Sequence, residues 1–175
     1  MGVPDDLAAE AARIDALLRH LAERPVDLSD PDWPARLLEG PEPLDEANVR
    51  EEAETALERL LDHYGQGDER TRGEVRALLA SRPSFRAATA LPEARTPDDF
   101  RRHLLHLSAR DHGADTRDEM MTLQALSDQA RAARIDLRPL LLEVAALSSD
   151  QDKYGMGSMR TILRRAAGQD PANLP

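Results

Sequence analysis

Apolar residues in this chain recur three and four positions apart through almost every stretch between its prolines and glycines. Leu7, Ala11, Ile14, Leu18 and Leu21 open the series. Val49, Ala53, Ala56, Leu57, Leu60, Leu61 and Tyr64 repeat it. That spacing stacks side chains on one face of an α-helix, whereas a half-buried strand needs alternation by two. Aromatic residues make up only 3% of the 175, and Ala, Leu, Glu and Arg dominate, a mixture that suits helices better than strands. The expectation is an all-α fold, an irregular bundle of about seven to nine helices. Residues 1–175 are read as a single helical domain. An N-terminal helix (4–24) is followed by a Pro-rich acidic connector (25–43) and then by the main helical body (45–168).

Breaks and caps divide that body. Asp5 or Asp6 can cap the first helix and Pro25 stops it. Five of the 12 prolines fall within residues 25–43, where only a short turn around Trp33 to Leu38 is expected. A helix from about Asp45 to Tyr64 is expected to end at Gly65 and Gly67. Asp68 caps the next, which carries Val75, Leu78 and Leu79 and is closed by Pro83; a short turn follows around Phe85 to Ala90. Thr96 with Pro97 and Asp99 reads as a capped start. Thr116 with Glu119, Asp136 and Ser158 mark three more. These starts lie 20, 20 and 22 residues apart, the dimension of stacked helical hairpins of HEAT-like type in the C-terminal half.

Charge is unevenly spread. The net charge is −10, and residues 1–60 hold 16 acids against 6 bases, so the excess lies entirely in the N-terminal third. That surface repels phosphate backbones and argues against nucleic acid as a partner; a basic protein partner suits it. No cysteine is present, which excludes disulfides, thiolate nucleophiles and cysteine-ligated metals. No apolar stretch approaches a membrane span of about 20 residues, and the first ten residues do not resemble a signal peptide. A cytoplasmic, non-membrane protein is expected. Among 23 basic residues Lys153 is the only lysine, a bias ascribed to the GC-rich codon usage of a bacterium.

Three places could carry function. Trp33 lies in the acidic connector, a residue type enriched at interface hot spots. Glu51, Glu54 and Glu58 form the wet face of the second helix, and with Trp33 they make the candidate partner surface. The second place is Lys153-Tyr154-Gly155-Met156-Gly157-Ser158-Met159-Arg160. Glycines ahead of a helix start let an anion approach free N–H groups, so Lys153, Tyr154, Gly155, Gly157, Ser158 and Arg160 are candidate ligand residues. The third is His103 with His106, flanked by Asp99, His112 and Asp111. They are imidazoles at helical spacing that could ligate a metal, although neither H-E-x-x-H nor E-x-x-H occurs.

No catalytic residue, metal site or cofactor is assigned. The leading expectation is a non-enzymatic protein acting through protein–protein contacts, as a monomer or homodimer. The alternatives are an anion- or small-molecule-binding protein, or an enzyme, built on the Lys153–Arg160 turn, and a metalloprotein built on His103 and His106.

Overall fold

The computed structural model describes residues 2–23, 31, 46–88, 91, 93–110, 116–152 and 157–168. Among them are eight α-helices and no strand: α1 (Asp5–Glu23), α2 (Glu46–Gln66), α3 (Glu69–Ser81), α4 (Pro83–Ala88), α5 (Pro97–Ala109), α6 (Thr116–Ala133), α7 (Arg138–Leu147) and α8 (Met159–Gly168). No helix among these residues is long and apolar enough to cross a membrane.

The apolar stripes decide which faces meet. Leu7, Ala11, Ile14 and Leu18 of α1 are buried, and all seven apolar positions of α2 from Val49 to Tyr64 are buried with them. α1 lies against α2 and α4, so its stripe is spent inside the chain itself. α5 is the second hub. It packs chiefly on α7 and α2, with lesser contacts to α3 and α6, while α7 and α8 form the most extensive helix pair. With neighbours on several sides, α5 buries every residue from Leu104 to Ala109.

Three of the caps read from sequence are made. Asp68 accepts the N–H of Thr71 at 2.8 Å. Thr96 and Asp99 form a reciprocal capping box, and hydrogen bonds from the backbone N–H groups of Arg95 and Thr96, with a further one from the Thr96 side chain, hold the Asp99 carboxyl below the usual carboxylate range. Ser158 accepts from Thr161 N at 3.2 Å. The expected cap by Asp136 is not made: α7 starts one residue later, with Leu137 at its N-cap and no side-chain cap, and Asp136 accepts only from Arg138 N at 3.0 Å.

Two expectations are corrected. α2 does not stop at Gly65 but runs on to Gln66. Gly65 serves a close approach, since a Cβ there would lie 3.3 Å from Arg101 Nη2 and 3.4 Å from Leu105 Cδ1. The stop falls at Gly67, where a Cβ would lie 2.6 Å from the His63 carbonyl oxygen. The segment around Phe85 is a helix beginning at Pro83 rather than a loose turn. Proline suits a first helical turn, having no N–H to leave unbonded, and Phe85 is fully buried.

Candidate functional site

The α1–α2 surface is built by the polar faces of two helices whose apolar faces are in the core. A groove of about 330 Å³ runs there, lined by Glu10, Asn48, Glu51, Glu52 and Thr55. Several carboxylates around it already have cations. Arg13 meets Glu52 at 2.6 Å, and Arg59 meets Glu10 at 2.7 Å and Asp6 at 3.3 Å. The three glutamates read from the sequence part company here. Glu58 pairs with Arg102 of α5 at 3.3 Å. Glu51 and Glu54 are exposed and make no ion pair among the described residues. Trp33 lies outside the described residues.

The second candidate is the approach to α8. Lys153, Tyr154 and Gly155 lie outside the described residues; Gly157, Ser158 and Arg160 are placed. Gly157 has a positive φ of 101°, a conformation open to glycine. Its N–H donates to Asp152 Oδ2 at 3.1 Å. Arg160 donates through Nη2 to the Ser148 carbonyl at 3.0 Å and pairs through Nη1 with Asp150 at 3.3 Å. Its backbone N–H goes to the Ser149 carbonyl at 3.2 Å. These donors are thus met by the chain's own oxygens. Asp150 and Asp152, which sequence reasoning passed over, meet two of them, and the Ser148 and Ser149 carbonyls the others. Their signal was legible as two aspartates a few residues before a glycine-rich helix start.

The histidines are placed apart in character. His103 is half-buried on α5, whereas His106 is only 6% exposed. Its Nε2 has no hydrogen-bond partner. Burial, with the charges of Arg110 and His103 beside it, pushes the His106 imidazole down to about 3, so it is neutral near pH 7. Asp99 is committed to the capping box, and His112 and Asp111 lie outside the described residues. Among the described residues no three His, Asp or Glu side chains converge as metal ligands.

One polar constellation had no sequence signal beyond a tyrosine on the apolar face of α2. Tyr64 OH lies 2.7 Å from Ser108 Oγ, which lies 2.6 Å from Ser148 Oγ; Ser148 in turn donates to the Val144 carbonyl at 2.8 Å. Arg76 caps the outer end, donating to Tyr64 OH at 3.3 Å and to Glu69 at 2.7 Å. The chain of hydroxyls is buried and joins α2, α5 and the end of α7. Among the described residues the partners of both serines are hydroxyls and carbonyls, so the arrangement ties the three helices together.

No protein-family model, curated protein or solved structure matches the chain.

Proposed function

We propose that this is a non-enzymatic helical protein that works by binding a basic protein segment on its α1–α2 face. The observation that carries this reading is the state of Glu51 and Glu54. Glu51 lines the α1–α2 groove and Glu54 is exposed on the same helix, and neither has a cation among the described residues. Free carboxylates on a rigid helix face offer long-range attraction and set the orientation of a cationic partner. Trp33, in the connector that precedes α2 in sequence, is the proposed apolar anchor for the same partner. The neighbour relations of α5 with α7 and of α7 with α8 support the further reading that the C-terminal helices form two stacked hairpins of HEAT-like type.

A fluorescent arginine-rich helical peptide titrated with the full chain tests the binding role. Binding should weaken as salt rises through the physiological range. Glu51→Arg combined with Glu54→Arg should weaken it about tenfold or more, and Trp33→Ala should weaken it further. Glu58→Arg should do less, because its carboxylate is already engaged by Arg102. Equal affinity in all these variants would discard the reading.

A further inference from the structure

Most exposed arginines of this chain are met by its own carboxylates. Arg13, Arg19, Arg59, Arg70 and Arg102, for example, each pair with an Asp or a Glu. Arg134, Arg138, Arg164 and Arg165 are the exposed arginines whose side chains have no ion pair and no hydrogen bond among the described residues. The fold gathers them. α7 and α8 form the most extensive helix pair. The backbone N–H and guanidinium of Arg160, at the start of α8, reach the Ser149 and Ser148 carbonyls just past the end of α7, at 3.2 and 3.0 Å. The two helices therefore run antiparallel. Counted from that contact at about 1.5 Å per residue, Arg164 and Arg165 come level with Val144 and Glu143. Leu142 lies within a turn of that level and is 46% exposed. Arg138 stands one turn before it on the same face of α7, and Arg134 just precedes α7.

We propose that this α7–α8 patch docks an acidic segment of a partner protein, with Leu142 at its centre and the arginines as its rim. Charge complementarity selects that occupant. The nearest carboxylates in sequence are spent elsewhere: Asp136 accepts the backbone N–H of Arg138 at 3.0 Å, and Glu143 turns to Arg101 of α5 at 2.7 Å. Guanidinium groups collected without counter-charges repel one another. Carboxylates arriving among them relieve that repulsion and receive paired N–H donors. An exposed leucine ringed by arginine also has the layout of a small interface, apolar at the centre and polar at the edge.

A phosphate polymer would meet the same cations but also the net charge of −10 on the whole chain. A short acidic segment touches one end of the molecule, where salt screens the acidic N-terminal third beyond about 8 Å. The backbone of Arg134 adds to the argument. It holds φ 58°, where glycine fits at less cost, and a bond from its side chain to the partner offsets that cost. The patch and the α1–α2 groove lie on different helices, so one chain can hold a basic and an acidic partner together.

A fluorescent peptide with glutamates flanking leucines, titrated with the full chain at about 0.15 M salt, tests this. Saturable binding is expected. Arg164→Glu with Arg165→Glu should weaken it about tenfold or more, and Leu142→Ser should weaken it severalfold. Arg138→Glu guards against a mere folding defect, because an acid in the first turn of α7 favours the helix; it too should weaken binding severalfold. Glu51→Arg with Glu54→Arg should leave the affinity nearly unchanged, which separates this patch from the α1–α2 groove. A wild-type chain that does not bind the peptide overturns the proposal. So do arginine and leucine variants that bind as wild type does. A single-stranded RNA of equal charge that binds more tightly than the peptide overturns it in favour of phosphate recognition.

Discussion

The carboxylate of Asp15, on α1, accepts a hydrogen bond from the backbone N–H of Phe85 at 2.9 Å, across 70 positions of sequence. It acts as a cap supplied from outside the helix, satisfying one of the free N–H groups at the start of α4. Its other oxygen meets Arg19 at 2.9 Å, and the side chain is almost fully buried. Asp15→Ala should lower stability by about 2–3 kcal/mol, because a buried donor loses its acceptor and Arg19 its counter-charge. Asp15→Asn retains an acceptor and should cost less. Urea denaturation followed by circular dichroism would rank the two, and equal losses would refute the capping role.

His106 should make the fold acid-sensitive. In the folded chain it binds a proton only near pH 3, against an ordinary value of 6.5. Between those limits the unfolded chain holds the extra proton, so this group's contribution is complete above pH 6.5 and falls as the pH drops. The slope approaches about 1.4 kcal/mol per pH unit. Urea midpoints measured at pH 7 and pH 4 should therefore differ more in wild type than in His106→Leu. The leucine also leaves no orphaned Nε2. An identical pH dependence in the two proteins would contradict this.

Removing the middle of the hydroxyl chain should be felt on both sides. Tyr64→Phe and Ser108→Ala should each cost about 1–2 kcal/mol. The double variant should lose less than the sum, by about 1 kcal/mol, because each change already breaks the same 2.7 Å contact. A double-mutant cycle from chemical denaturation measures that difference, and strict additivity would mean that the contact is energetically idle.

Two backbone positions are open to improvement. Gly73 lies within α3, and a Cβ there would meet nothing within 4 Å. Gly73→Ala should raise stability by about 0.5–1 kcal/mol through the lower entropy cost of fixing alanine in a helix. A higher urea midpoint with an unchanged m-value is the expected record.

Arg134 is the other. It ends α6 at φ 58°, a left-handed conformation usually given to glycine, while the N–H of Ile135 reaches back to the Ala130 carbonyl at 2.8 Å. Arg134→Gly should stabilise the fold by up to about 1 kcal/mol. Thermal unfolding would show it. A loss of stability would mean that the arginine side chain contributes more than its backbone costs.

Local patterns were legible in the sequence and distant meetings were not. The apolar face of α2 is buried at each position that its spacing names, from Val49 to Tyr64. Asp68, Ser158 and the Thr96–Asp99 box act on N–H groups within a few residues, so their role follows from spacing alone. Gly65 was misread because a glycine near a helix end looks like a stop until a neighbour is known to crowd it. His106 sits between leucines where a two-sided helix would have a boundary. α5 has neighbours on several sides, and the boundary became interior. The pairings of Glu58 with Arg102 and of Arg160 with the Ser148 carbonyl depend on which helices come side by side. No short-range rule reports that.

The hydroxyls of Tyr64, Ser108 and Ser148 have one more consequence. The surrounding interior is mostly leucine and alanine, which resemble one another from turn to turn. A helix gripped only by such contacts could slide one turn, about 5.4 Å, and find nearly equivalent packing. After such a slide these hydroxyls would lie among methyl groups with nothing to bond, at a cost that apolar contacts do not recover. They act as a notch between otherwise smooth rods, giving α2, α5 and α7 a single mutual setting.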